Sequence, residues 1–442
     1  MTTDSLGALQ ELLRLRTVAD GTNDDAFAEA HAVLRRRFPH VLAEEVIEVE
    51  PHGLLIRVGA DPSTQEDGPD PVVLMAHLDV VPLGDESRWA HPPLSGEVVD
   101  GEVWGRGTLD DKGQLVAVIS AVEDLLASGR RPARDVWLSF GGDEEVYGRG
   151  ARNAVELLRA RGVRPWFVLD EGGAVAADAF PGVTSPAAVI GVSEKGILSL
   201  TLTASGRGGH ASTPARNGPA ARIAQAIARL ERHPFAPKVN TPTVEMLRRL
   251  APYLPAPLRP LLMRAGTLAP ALARLMVAAG PEAAALARTT VAVTTLTGSP
   301  AINVIPTSVT AGLNLRVAVG ETVASAVEHV RAVVGPGIDV GVVESSEPSP
   351  VSPLDEAFGL LETAVTRVFP DAVPIPYVMF AATDSRHFTA ICDRVYRFAP
   401  FRMSRDQRAA LHSYDERLGV DDFLAGVRWY AALLDSLPSV TR

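Results

Sequence analysis

The chain has 442 residues, more than a single hydrophobic core usually organises, so at least two structural units are expected. With 46% hydrophobic and 21% charged residues, and with 37 Gly and 34 Pro that follow no period, it is neither globally disordered nor collagen-like. Lys+Arg 42 against Asp+Glu 53 gives a net charge of -11 without any basic run, which argues against nucleic acid or an anionic membrane as the main partner.

The single cysteine, Cys392, excludes an internal disulfide framework and a cysteine-based zinc site. Residues 1–5 lack the basic start and apolar core of a signal peptide, and the most membrane-like stretch, 268–287, is broken by Pro270, Arg274, Pro281 and Glu282. The expectation is a cytoplasmic protein.

The first part of the chain alternates helix and buried strand. Unbroken apolar runs at 72–75, 136–140 and 166–169 suit strands covered on both faces. Between the first two, Leu115, Ile119, Val122 and Leu126 share one helical face, and Gly129 is placed to end the helix. Beyond Gly196 the pattern changes to alternating strands at 199–203, 291–297 and 309–319. Helices are expected around 220–230 and over 322–334, with a last strand at 338–343. That order is β-α-β-β-α-β, the ferredoxin-like unit. An Ala/Leu/Pro-rich stretch, about 234–288, interrupts it and is expected to be helical. Its Met246, Met263 and Met276 read first as core packing, and alternatively as an apolar entrance for acyl chains or hydrophobic side chains. The Pro-rich stretch 347–353 reads as an extended hinge. The chain therefore divides into a discontinuous α/β domain (1–195 and 350–442) and an inserted smaller domain (196–349).

Each buried run ends in side chains able to hold a metal. The first leads into Ala76-His77-Leu78-Asp79, the second into Gly141-Gly142-Asp143-Glu144-Glu145, and the third into Asp170. In an open α/β sheet these carboxyl ends of strands are where ligands bind. A fourth candidate, Asp110, stands in the glycine-rich turn Gly105-Arg106-Gly107-Thr108-Leu109-Asp110-Asp111-Lys112-Gly113. Taken singly, a His-x-Asp triplet, a Glu-Glu pair and an Asp-Asp pair are weak signals, and helix capping accounts for the last. Their joint placement after buried strands or a Gly-rich turn points to a metal site. Asp110, Glu145 and Asp170 with one hydroxide balance the charge of two Zn²⁺, and zinc accepts both imidazole and carboxylate donors. Asp110 is then the bridging carboxylate, and Asp79 fixes the His77 ring from behind.

Five stretches together resemble the dinuclear-zinc aminoacylase/carboxypeptidase family, closest to its carboxypeptidase S and N-fatty-acyl amino acid hydrolase branch. They are the Gly105–Gly113 turn, Leu169-Asp170-Glu171-Gly172-Gly173, Ser193-Glu194-Lys195-Gly196, Gly208-Gly209-His210-Ala211-Ser212 and Thr383-Asp384-Ser385-Arg386-His387. The resemblance covers nearly the whole chain. It implies a mixed sheet flanked by helices, with an inserted ferredoxin-like lid and dimerisation domain. It also implies two Zn²⁺, with Co²⁺ or Mn²⁺ as substitutes: His77 and Asp170 hold one, Glu145 and His412 the other, and Asp110 bridges. His387 competes with His412 for the last position. Glu144 becomes the general base. His210, reaching a partner subunit's site, Asn303, Arg316 and Thr383 become substrate contacts.

The sequence departs from the resembling pattern at Asn314-Leu315-Arg316, where Asp-x-Arg is usual, and at Ala381-Ala382, where Gly-Gly is usual. It departs again around His412, which is followed by Ser413-Tyr414-Asp415-Glu416. The expected activity is hydrolysis of an amide or peptide bond beside a free α-carboxylate. Long-chain N-acyl amino acid hydrolysis or synthesis, and a non-catalytic binding role, stand as alternatives. The expected partners are a small substrate and a second copy of the chain.

Overall fold

The computed structural model describes residues 3–62, 70–146, 148–180 and 182–439. A ten-stranded mixed sheet forms its larger part. The order is Glu45–Val49, Gly53–Val58, Val136–Gly141, Val72–His77, Phe167–Asp170, Val395–Arg397, Ala187–Glu194, Ala174–Ala176 and Arg402–Met403, with Val373–Met379 also pairing with Ala187–Glu194. Val72–His77 runs parallel to both Val136–Gly141 and Phe167–Asp170. His77, Gly141 and Asp170 therefore emerge at the same edge of the sheet. These strands are buried almost throughout, which is why their sequences are apolar without alternation. The helix Lys112–Ala127 lies against the Val72–His77 strand and is buried on nearly every face, so Leu115, Ile119 and Val122 have apolar neighbours all round. It stops at Ser128, with Gly129 at a φ of +75°.

A second sheet is wholly antiparallel, in the order Thr290–Thr297, Ser308–Val317, Gly196–Ser205, Asp339–Ser346. With helices Pro219–Arg232 and Val323–Val334 it follows the expected β-α-β-β-α-β order. Leu198, Leu200 and Leu202 face those helices beside Leu313, Leu315 and Val330, while Ser199, Thr201 and Thr203 on the opposite face are half-buried.

The stretch 234–288 is helical as expected, with helices Thr241–Leu250, Arg259–Met263, Ala269–Ala279 and Pro281–Ala287. Its packing partner is not the smaller sheet in which it is inserted. Met246, Leu250, Leu272 and Met276 form a core with Ala187, Val189, Val373 and Ile375 of the large sheet. Met246 and Met276 are thus core residues, while Met263 is exposed. The Pro-rich stretch is extended, but it is not a free hinge. The Ser349 amide donates to the Glu194 carbonyl (3.1 Å), the Ser352 amide donates to the Val192 carbonyl (2.8 Å), and both serines are buried. Among the described residues no helix is long and apolar enough to cross a membrane.

Candidate metal centre

The His77 strand fixes the centre of the site. Its apolar residues anchor it in the sheet, the Leu78 amide still donates to the Gly141 carbonyl (2.8 Å), and the His77 amide donates to Asp111 Oδ2 (3.2 Å). His77 is 2% exposed. Its Nε2 lies 3.0 Å from Asp110 Oδ1, and its Nδ1 lies 3.0 Å from the Asp79 backbone carbonyl. The other oxygen of Asp110 lies 2.9 Å from His412 Nε2, and His412 Nε2 is 3.3 Å from Glu145 Oε2. One carboxylate is thereby shared between two imidazoles that stand 335 positions apart in the sequence. His77, Asp110 and Glu145 bring their ligand atoms within 4.8 Å of one another, and so do His77, Glu144 and Glu171.

The Glu144-Glu145 corner is not simply solvated. Both amides donate to the Asp79 carboxylate, at 3.2 and 3.0 Å. Asp143 accepts the amides of Arg149 and Gly150 (3.0 and 2.9 Å) at the start of the next helix, Arg149–Ala160. Asp79 accordingly does more than expected. Its backbone carbonyl meets the imidazole, and its carboxylate, 3.4 Å from the ring at Oδ1, pins the two glutamates. Asp111 does not cap the helix it precedes, since its side chain reaches the His77 amide instead.

Electrostatics follow from packing acids and imidazoles together. Burial disfavours a charged His77, but its hydrogen bonds to Asp110 and Asp79 outweigh that and raise it well above its ordinary value. Burial likewise pushes Asp110 upward, yet the bonds from His412 and His77 win and hold it far below. His412 is raised to about 10 by its hydrogen bonds to Asp110 and Glu145. Burial drives Glu144 well above the usual carboxylate range, opposed by the His77 charge and reinforced by Asp384, Glu145 and Asp110.

The two candidate histidines, His412 and His387, stand in different surroundings. His412 sits at Asp110 and Glu145 with a φ of +57°, a left-handed conformation that non-glycine residues rarely hold. The buried Nε2 of His387 has no hydrogen-bond partner among the described residues, and burial together with the Arg386 and Arg152 charges lowers that ring to about 4. An imidazole facing guanidinium groups is badly placed to join a cation.

Other expected residues lie elsewhere or differently. Asp170 is buried at the expected strand end, but its Oδ2 accepts the Ser385 amide (2.8 Å), and the acid nearest His77 Nε2 on that side is Glu171 Oε1, at 3.8 Å. His210 and Asn303 come together with each other on an exposed ribbon. There His210 pairs with Val304, the Ala211 amide donates to the Asn303 carbonyl (3.1 Å), and His210 Nδ1 meets Ser212 Oγ (2.6 Å). None of these contacts reaches the His77 cluster. Arg316 lies on the half-buried face of the smaller sheet, in register with Ile197 and Thr290, and no carboxylate among the described residues pairs with it. Thr383 is buried, and its hydroxyl proton is already committed to Glu194 Oε1 (2.9 Å) while its oxygen meets Ser385 Oγ (2.6 Å). The Thr383 hydroxyl is thus held inside the protein between Glu194 and Ser385.

Sequence reasoning missed Glu171, Arg106 and Glu416. Glu171 directly follows a strand-end aspartate, a signal that was open to use. Glu416 Oε1 accepts the amides of Gly107 (3.0 Å), Leu109 (2.8 Å) and Asp110 (3.2 Å), and its Oε2 pairs with Arg106 Nη1 (2.7 Å). That carboxylate shapes the glycine-rich turn from which Asp110 projects.

Comparison with known proteins decides the lineage. The family described as peptidase family M20/M25/M40 matches residues 73–436. The chain belongs to that family. Within it, the chain is 34% identical over 443 residues to the human N-fatty-acyl-amino acid synthase/hydrolase PM20D1, covering 97% of this chain and 87% of that protein. It is 32% identical over 440 residues to a probable carboxypeptidase S-like 2 of Dictyostelium discoideum, covering 96% and 83%. Among solved structures, an M20 family metallo-carboxypeptidase from Sulfolobus solfataricus superimposes with a TM-score of 0.68 at 17% identity, over 98% of this chain and 99% of that one. Human carnosine dipeptidase 1 gives 0.67 at 16% identity, over 97% and 95%. The M20 fold is therefore shared across nearly the whole chain.

Proposed function

We propose that this M20 family member is a two-cation hydrolase acting on an amide bond whose nitrogen side carries a free α-carboxylate, as in an N-acyl amino acid or a short peptide. The observation that carries the reading is the division of the Asp110 carboxylate, one oxygen to His77 and the other to His412. A carboxylate so divided is suited to bridge two ions. In this reading His77 and Asp170 hold one Zn²⁺ and Glu145 and His412 the other, with Co²⁺ or Mn²⁺ as substitutes. The residues fit such ions: the donors are imidazole nitrogen and carboxylate oxygen, and the buried Oε1 of Glu145 has no hydrogen-bond partner among the described residues. When bound, the cations supply an acidified water and a polarised carbonyl.

The chain's own groups supply the rest. Glu144, beside His77 and Glu171, takes a proton from the attacking water on its carboxylate and returns it to the leaving nitrogen. Asp79 holds Glu144 at its post through the backbone amide. Arg316, with no carboxylate in ion-pair contact among the described residues, takes the substrate carboxylate by charge-assisted hydrogen bonding. His210 and Asn303, exposed on their ribbon, serve the site of a second copy in a homodimer.

Within this reading the name of the human relative supports a long acyl chain, and one local feature agrees. The Tyr377 and Phe380 rings, 5.7 Å apart, border the apolar cluster made with the helical insertion, at the start of the segment that leads to Thr383 and Ser385.

The test is metal analysis of the purified protein combined with a panel of N-acetyl and N-oleoyl amino acids, dipeptides and their carboxamides. We expect two Zn²⁺ per chain and loss of turnover when the carboxylate is blocked. Equal turnover of acids and carboxamides would overturn the substrate class. Glu144→Gln should keep both ions and lose ~10²–10⁴-fold in kcat. A variant that kept most of its turnover would remove Glu144 from its role.

A further inference from the structure

The chain crosses between the two sheets twice, at 194–196 and at 346–349, and both crossings meet at Glu194. The Glu194 amide donates to Ser349 Oγ (2.7 Å), the Ser349 amide donates back to the Glu194 carbonyl (3.1 Å), and Ser193 Oγ donates to the Ser349 carbonyl (2.8 Å). From this seam the Glu194 side chain reaches Thr383 and Arg397. Its Oε1 alone receives the Thr383 amide (2.9 Å), the Thr383 hydroxyl (2.9 Å) and Arg397 Nε (3.1 Å). The Thr383 oxygen then accepts from Ser385 Oγ (2.6 Å), and the Ser385 amide donates to Asp170 Oδ2 (2.8 Å). Every member of this series is buried, with Glu194 at 2% and Ser385 at 0% exposure.

We infer that Glu194 is a positioning residue, which fixes the Thr383–Ser385 start of the short 3-10 helix Asp384–Ala390, and through it the Asp170 carboxylate, to the seam between the two sheets. The inference rests on the two-cation reading above, because it assigns Asp170 a ligand to orient. A buried ion pair with Arg397 is by itself an ordinary structural device. The pair is not arranged to suit the arginine, however, since Arg397 Nη2 is buried without a partner among the described residues. Two of the three donors on Glu194 Oε1 come from Thr383. Burial of an acid at this seam is expensive unless its hydrogen bonds are met, and those bonds run towards Asp170. Groups that orient a ligand from behind tune metal affinity without touching the ion.

The experiment uses the full chain and two variants, Thr383→Val, which removes one hydroxyl at constant shape, and Glu194→Gln. Zinc affinity is read by competition with a chromophoric chelator, kcat and KM on an N-acyl amino acid, and stability by thermal unfolding. We expect Thr383→Val to weaken one of the two zinc ions by ~10–100-fold and lower kcat, with KM changed less than about threefold. Thr383→Ser should recover at least half of the lost affinity on a logarithmic scale. Glu194→Gln should show the same pattern more strongly, and if it does not fold, Thr383→Val decides alone. A merely structural role would lower the unfolding temperature and leave the chelator competition unmoved, and that result overturns the inference. Wild-type protein that takes up no divalent metal overturns the two-cation reading and this inference together. Wild-type protein that takes up two ions while Thr383→Val matches it overturns only the role of Glu194.

Discussion

Glu416 shows how much a single buried acid can organise. Burial pushes its carboxyl above the ordinary range, opposed by the Arg106 charge and the Leu109 amide bond. Replacing it leaves the fully buried Arg106 without a counter-charge and three turn amides without their shared acceptor. Removing one partner of a buried pair costs ~3–5 kcal/mol. Glu416→Ala should therefore lose about that much stability in urea unfolding, and adding Arg106→Met should restore part of it. A loss below ~1 kcal/mol would mean that the turn holds its shape without this pair. His387 is the opposite case, a ring kept neutral by burial and by neighbouring arginines. Its folded value of about 4 lies below its ordinary 6.5, so the unfolded chain binds the proton first as pH falls. Its contribution is complete above 6.5 and is lost as pH drops from there towards 4. His387→Gln should flatten the stability profile across that window, and an unchanged profile would count against a neutral, buried ring.

At the scale of elements, the helical insertion separates burial from proximity. Met246 is 1% exposed in the cluster with Val373 and Ile375, whereas Met263 is 52% exposed. Met246→Ala should cost ~2–5 kcal/mol and Met263→Ala less than ~0.5 kcal/mol, measured by chemical unfolding. If the two cost the same, the insertion does not pack on the large sheet as described. Apolar helical spacing in 241–250 says that one face is buried, but not against which surface. The partner strand Val373–Met379 comes more than 120 positions later, and the contact was not legible from the sequence. The central strands were legible for the converse reason. Cover on both faces makes them apolar without interruption, and the parallel order puts His77, the Glu144-Glu145 corner and Asp170 at one edge. What the sequence concealed were the long-range hydrogen bonds that refine those positions: Asp79 to the two glutamate amides, Glu416 to the Asp110 turn, and Thr383 to Glu194.

For the molecule as a whole, the decisive quantity is the charge gathered at the sheet edge. Asp110, Glu144, Glu145 and Glu171 stand within reach of His77 and His412. Such a concentration of acids in a buried site is expensive unless protons or cations compensate it. Each imidazole must give up its proton to become a ligand, so cation binding releases protons and tightens as pH rises. Removing divalent ions with a chelator should therefore lower the unfolding temperature, and returning Zn²⁺ at ~100 times its Kd should restore ~2.7 kcal/mol. At one fixed Zn²⁺ concentration the restoration should grow between pH 6 and pH 8, and calorimetry in two buffers of different ionisation enthalpy should register the released protons. In His412→Gln the release should fall by about one proton, because one of the two rings is gone. Zinc binding independent of pH, or an unfolding temperature indifferent to chelation, would show that protons and not cations are what this cluster of acids is built to hold.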